Sequence, residues 1–423
     1  MSSTSNSTNA LHAGHDTELT GGTRAVPIYQ STAYVFDNTE HAANLFGLKE
    51  FGFIYTRLNN PTNDVLEKRL AALEGGIGAA VFASGTAAIA TTFLTLFKAG
   101  DHIVSSSSLY GGTYNLLNVT LPRFNINTSF VDADEPNNFQ AAIKENTKAI
   151  FIESLGNPKL DVLDIEAIAK IANANNIPLI VDNTVATPAL LNPIKYGAHI
   201  VIHSLTKFIS GHGSSLGGVV IDSGTFDWTN GKFEEFTEPS KGYHGLQYSE
   251  ALGELAFLVK MRIEGLRDLG SALSPFNAFQ ILQGLETLDV RIKRHSSNAL
   301  AIAEWLDNHP KVEWVNYPGL KTSKYYSLTQ KYLTEGQSGI VTFGLKGGFE
   351  EAKKLTDATK LFSLLANIGD TKSLIIHPAS TTHQQLTPEE QLSSGVSQDL
   401  IRLSVGLEDL EDLKKDLEQA LQS

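Results

Sequence analysis

Asp182 ends the apolar run PLIV (178–181), and Lys207 lies just past the run HIVIH (199–203), in the string His203-Ser204-Leu205-Thr206-Lys207. In an open α/β sheet, ligands bind in the crevice at the carboxyl ends of the strands, so two such strands deliver an acid and an amine to one place. Ser204 and Thr206 add hydroxyls beside the lysine. Ser84-Gly85-Thr86 stands between the run AAVFA (79–83) and a helix-period stretch, where free N–H groups favour a dianion and Gly85 allows close backbone approach. An amine to bond an aldehyde, a carboxylate to face a pyridine nitrogen, and hydroxyls and N–H groups for a phosphate are together what pyridoxal 5'-phosphate requires.

Each residue also has a plainer reading. A lone lysine is a solvated surface charge about nine times in ten. An Asp after a strand usually caps a helix or forms a turn, and Ser-Gly-Thr at a helix start is usually a cap. Their co-occurrence at strand ends of one sheet, with hydroxyls flanking the same lysine, is what points to a site. Arg402 stands inside the apolar run LIRLSV (400–405), where an unpaired guanidinium is costly and its fork matches a carboxylate; an edge-strand surface arginine is the alternative. The glycine-rich stretch 211–218 precedes a strand and lacks the third glycine of a dinucleotide loop. His12 and His15 lie in a poorly patterned arm, and no metal site is expected.

The elements that must position these residues follow from the pattern. Asn60 caps and Pro61 opens a helix over Val65, Leu66, Leu70 and Leu73, ended by Gly75-Gly76. Apolar runs at 79–83, 102–105, 148–153, 178–181, 199–203 and 217–221 alternate with helix-period stretches such as 86–97 and 164–175. That alternation predicts an α/β domain whose sheet is mostly parallel and covered on both faces. Residues 223–248 read as an inserted loop, polar and aromatic. Helical periodicity dominates from about 250 to 309. Runs at 312–317, 339–345, 373–378 and 400–405 predict strands of a second, smaller α/β unit. The expected organisation is an arm over 1–59, a large domain over 60–268 and a small one over 269–423.

Composition narrows the function classes. The chain has 423 residues, enough for two or three domains at roughly 100–200 residues each. Its net charge of −13, with no block of Lys or Arg, disfavours a nucleic-acid partner. The absence of cysteine excludes disulfides, thiol catalysis and zinc–thiolate sites. The first ten residues lack the pattern of a signal peptide, and no apolar run approaches a membrane span. A soluble cytoplasmic protein is expected.

VDNT (181–184), HSLTKFISGHG (203–213), YTRLNNPT (55–62), LYGGTY (109–114), ESLGNP (153–158) and IRLSVGLE (401–408) resemble the Cys/Met-metabolism branch of fold-type I pyridoxal-phosphate enzymes, from about residue 11 to the end. The resemblance implies an aspartate-aminotransferase-like fold. It implies that Lys207 holds the cofactor, Tyr110 stacks on its ring and Asp182 faces its nitrogen. Ser84, Gly85, Thr86, Ser204 and Thr206 would hold the phosphate. Tyr55 and Arg57 would reach the phosphate of a neighbouring subunit, making the active unit a dimer at least and, by resemblance, a tetramer. Asn157 would contact cofactor and substrate; Arg402, Asn367 and Ser373 would contact the substrate. Lys207, Tyr110 and Tyr55 would share the proton transfers.

Within the branch, the insertion at 223–248 with its GYHG, the string VNYPGL (315–320), and LANIGD (365–370) before HPASTTHQQL (377–386) are similar to the O-acetylhomoserine sulfhydrylases. That implies O-acetyl-L-homoserine and sulfide, or a small thiol, as substrates and homocysteine as product. Methionine γ-lyase, cystathionine γ-synthase and cystathionine lyases share the cofactor set and are the alternatives. Gly112, where methionine γ-lyases usually carry cysteine, and the insertion speak against the lyase. A non-catalytic oligomeric partner of the same fold is the remote alternative, opposed by the intact residue set. Two departures stand out: Thr86 is a variable position, and His199 replaces the usual Asp, read as a change behind the cofactor contacts.

Overall fold

The computed structural model describes residues 5–385 and 387–423, so Met1 to Thr4 of the arm and Leu386 of HPASTTHQQL lie outside the described residues. The arm runs over the surface with two short helices, Asn6–His12 and Thr39–Phe46, neither visible as periodicity. It is tied down by polar contacts: Asn60 Nδ2 donates to the Tyr29 carbonyl, and Arg69 Nε to that of Ala13. Helix α1 (Pro61–Glu74) starts as its sequence dictates. The Asn60 side chain accepts from Thr62 N–H, Pro61 fills the first turn, and Gly75 closes the helix at φ +79°.

The first sheet has seven strands: β1 (Gly78–Phe82), β2 (His102–Ser106), β3 (Asn127–Val131), β4 (Thr147–Glu153), β5 (Leu179–Asp182), β6 (Ile200–Ser204) and β7 (Gly218–Asp222). Their order is β1-β7-β6-β5-β4-β2-β3. β7 runs antiparallel to β1 and β6, and the remaining pairs are parallel. Six of these strands match apolar runs. β3 does not, because this edge strand, NTSFV, is only partly buried along its length. Helix α2 (Gly85–Leu96) joins β1 to the sheet interior, and α3 (Ile165–Ala174) covers the other face near β5. Central residues such as Ile150, Ile152, Val181 and Ile202 are fully buried, as expected of strands covered on both sides.

The segment expected to be a loop at 223–248 is polar in its turns yet anchored by a buried aromatic cluster. Trp228 stacks on Phe236 and Phe257 at centroid distances of 4.4 and 5.3 Å, and Phe233 and Tyr248 are fully buried beside them. Burying several aromatic rings holds the insertion firmly on the large core.

The second sheet comprises β8 (Val312–Asn316), β9 (Ile340–Leu345), β10 (Ser363–Leu364), β11 (Leu374–Ile376) and β12 (Leu400–Ser404), in the order β10-β11-β12-β9-β8. β10 has two exposed residues and leaves no mark in the apolar pattern. Helix α4 (Leu288–Asp307) links the two units: Leu288 and Ile292 pack in the first core, while Ile302 and Leu306 pack in the second. The helix Pro275–Leu285 also puts Ala278, Ile281 and Leu282 into the first core. We therefore propose that the division falls within α4, later than the sequence pattern alone placed it.

Candidate active site

The crevice forms where three parallel strands end side by side. Glu153 closes β4, Asp182 closes β5 directly opposite it in register, and Ser204 closes β6. Lys207 follows within one turn of chain. A cavity of about 330 Å³ opens there, lined by Lys207, Asp182, Glu153, Tyr110, Asn157 and Arg402, among others. Ser84, Gly85, Thr86, Ser204, Thr206 and Asn367 also line it. Residues far apart in sequence are thus gathered by the rule for open α/β sheets.

The lysine is held for chemistry. Lys207 Nζ donates to Asn367 Oδ1 at 2.6 Å. Burial, with the nearby Arg402 charge, lowers its pKa to about 8, so a large share of the amine is neutral in mildly alkaline solution. Asp182 is 9% exposed and accepts from Thr184 N–H at 2.9 Å. Burial raises its pKa above the ordinary carboxylate value. A cationic ring nitrogen is the partner that would restore its charge.

The phosphate end also fits. At the start of α2 the Gly85 and Thr86 N–H groups precede any acceptor within the helix. Ser84 Oγ accepts from Ala87 N–H at 3.1 Å, so its hydroxyl already serves as the cap. Gly85 packs on Ser204: a Cβ there would lie 2.6 Å from Ser204 Cβ, which ties the two phosphate-side segments together. Thr206 Oγ1 is engaged with the main chain of Gly217.

Arg402 comes from the other unit. It sits on β12, between β11 and β9, so it is not an edge-strand arginine. Only 7% of it is exposed. It donates to Asn157 Oδ1 at 3.1 Å and to the Asn367 carbonyl at 3.2 Å, and burial lowers its pKa to about 10. Among the described residues no carboxylate offsets this charge, and an uncompensated buried cation is an anion site in waiting.

Some expectations need revision. Ser373 is fully buried and does not line the cavity. Its hydroxyl donates to Glu408 Oε2 at 2.9 Å and accepts from Gly406 N–H at 2.8 Å, so its side chain stiffens the loop behind Arg402 instead of meeting substrate. His199 lies at the amino end of β6, the far end from Ser204. Its Nδ1 accepts from Leu179 N–H at 3.0 Å, and burial lowers its pKa to about 4. It does in neutral form what a carboxylate acceptor would do there, and it is no neighbour of the cofactor contacts. The expectation for Tyr55 and Arg57 concerns a neighbouring subunit and stands apart from these revisions: Tyr55 is 42% exposed, Arg57 donates to the Arg267 carbonyl, and neither lines this chain's own cavity.

Two ionisable lining residues escaped the sequence reading. Glu153 was legible only as the first letter of ESLGNP. His383, inside HPASTTHQQL, is buried, and its Nε2 has no hydrogen-bond partner among the described residues.

Comparison with known proteins places this geometry. The family model described as "Cys/Met metabolism PLP-dependent enzyme" matches residues 7–422. The chain belongs to this family. It is 58% identical over 423 residues to an O-acetyl-L-homoserine sulfhydrylase of Leptospira meyeri, covering 98% of this chain and 96% of that protein. It is 52% identical over 415 residues to a homocysteine synthase of Schizosaccharomyces pombe, covering 97% of each. A solved Campylobacter jejuni structure carrying N'-pyridoxyl-lysine-5'-monophosphate superposes with a TM-score of 0.97 at 45% identity, over 99% of this chain and 100% of that one. The chain is a pyridoxal-phosphate-dependent enzyme of fold type I, and no described helix is long and apolar enough to cross a membrane.

Proposed function

We propose that the enzyme catalyses a γ-replacement: O-acetyl-L-homoserine and sulfide give L-homocysteine and acetate. One observation carries the reading. The uncompensated guanidinium of Arg402 and the Nζ of Lys207 face one cavity and share Asn367 as a partner, so a carboxylate on Arg402 puts an amino acid's α-carbon beside Lys207. The sulfhydrylase and homocysteine synthase relatives name the substrate that fits.

When bound, pyridoxal phosphate supplies an electron sink that acidifies the substrate's α- and β-hydrogens. Asp182 would face its ring nitrogen, Tyr110 would cover its ring, Asn157 would contact its edge, and Ser84, Gly85, Thr86, Ser204 and Thr206 would hold its phosphate. Arg402, with Asn157 and Asn367, fixes the substrate's α-carboxylate. Lys207 Nζ accepts the α-proton and later returns one; its lowered pKa suits both tasks near neutral pH. Tyr110 assists, with Tyr55 and Arg57 reaching in from a neighbouring copy. Acetate leaves with the Cγ–O electron pair, and hydrosulfide supplies the pair for the new Cγ–S bond, so no oxidant or reductant is needed. The enzyme is cytoplasmic and works as a homo-oligomer, a tetramer by family resemblance.

Product analysis of cofactor-loaded enzyme tests this. Homocysteine that appears only when sulfide accompanies O-acetylhomoserine is the expected result. Ammonia and 2-oxobutyrate dominating in the presence of sulfide would make the enzyme a lyase.

A further inference from the structure

Glu153 is a buried acid in the cavity wall that the mechanism above does not use. It ends β4 exactly one strand from Asp182, paired with it in register. Its Oε1 accepts from the main-chain N–H of Tyr110 at 2.6 Å, and the main-chain N–H of Asn157 also favours its charged form. This carboxyl group therefore holds the backbone of Tyr110, a residue of the cavity wall. Tyr110 needs such a hold, because the residue is 52% exposed and has little packing of its own to fix it.

Charge adds a second task. Two buried carboxyls side by side do not ionise together cheaply; a proton stays on the pair. Burial and the Asp182 charge push Glu153 well above the ordinary carboxylate range. Asp182 is raised less clearly, with Thr184 and His203 favouring its charge. A proton carried by Glu153 leaves Asp182 anionic for the ring nitrogen.

We propose that Glu153 is a positioning residue, which seats Tyr110 through its main-chain N–H and, by carrying the proton it shares with Asp182, keeps Asp182 charged. The proposal rests on the Lys207 and Asp182 assignment. Failure of that assignment would show as wild-type enzyme without cofactor absorption. Failure of the present proposal would show as cofactor-bearing variants that behave like wild type.

The test compares Glu153→Gln, Glu153→Asp and Glu153→Ala holoenzymes by kcat, KM, the pH dependence of the cofactor's absorption band, and visible circular dichroism. Gln keeps an acceptor for Tyr110 and cannot ionise. It should cost only a few-fold in kcat and flatten the alkaline part of the band's pH titration. Asp and Ala withdraw the acceptor from the Tyr110 N–H. Each should lower kcat by roughly tenfold or more, with altered visible dichroism and a smaller change in KM. If Ala does not fold, the Asp and Gln pair decides. Equal kcat in Asp and Gln, or a Gln titration identical to wild type, would overturn the proposal.

Discussion

The molecule buries polar groups in two contrasting ways. At Glu74, below the crevice, the network is closed around the carboxylate, although His203 Nδ1 has no hydrogen-bond partner among the described residues. Glu74 Oε1 accepts from His203 Nε2 at 2.6 Å and Asn183 Nδ2 at 2.9 Å, and its Oε2 accepts from Asn192 Nδ2 at 3.3 Å. In the crevice the network is open among the described residues: Arg402 has no carboxylate partner, Lys207 rests on an amide oxygen, and Asp182 has no ion-pair partner. A closed network ties α1, β5 and β6 together, whereas an open one keeps charges ready for molecules that arrive. The lesson is that charges left without a countercharge mark a site when they gather in one cavity, as Lys207, Asp182 and Arg402 do.

The sharpest way to break this contrast is Lys207→Ala. Turnover should vanish while the fold and the Glu74 network persist, as read by activity and circular dichroism. Residual turnover near wild type would assign the chemistry to another amine. Arg402→Lys comes next. It trades a two-pronged contact for a point charge and should weaken substrate binding by about 1.5–3 kcal/mol, roughly 10–150-fold in KM; an unchanged KM and kcat would remove the arginine from the substrate. On the closed side, Glu74→Gln should act in the opposite sense. Placing an amide among donors should cost about 1–3 kcal/mol of stability, seen as a lower urea midpoint, with KM within twofold. A KM effect rivalling that of Arg402→Lys would erase the distinction.

A smaller effect sharpens the comparison at a third place. Asp222, at the end of β7, has one oxygen on Gly224 N–H and the other without a partner among the described residues. Burial raises its pKa to about 7 from an unfolded value near 3.8. The folded state therefore binds the extra proton between those values, and stability falls as pH rises from about 4 to 7. Asp222→Asn removes that loss. Its unfolding midpoint should exceed wild type clearly at pH 8 and little at pH 4; an equal gain at both pH values would place the group's pKa elsewhere.

What the sequence made legible follows from burial. Strands hidden on both faces, such as IFIE in β4 and LIV in β5, must be apolar, so they stand out. β3 and β10 lie at sheet edges where solvent relaxes that demand, and they left no pattern. Lys207 and Asp182 were readable because strand ends are fixed by the apolar runs before them. Arg402 was readable because a charge inside LIRLSV is anomalous. Glu153 followed an apolar run just as Asp182 did, yet its partner, the Tyr110 main chain, has no signature in side-chain types. Ser373 misled for a related reason: its position near the site is sound, but only the structure reveals that Glu408 claims its hydroxyl.

The most direct test of the open-network account is to reduce the cofactor-loaded enzyme with borohydride, digest it and locate the pyridoxyl label by mass spectrometry. The account predicts the label on Lys207 alone, lost in Lys207→Ala. A label on a different lysine, or one that survives that substitution, would contradict it.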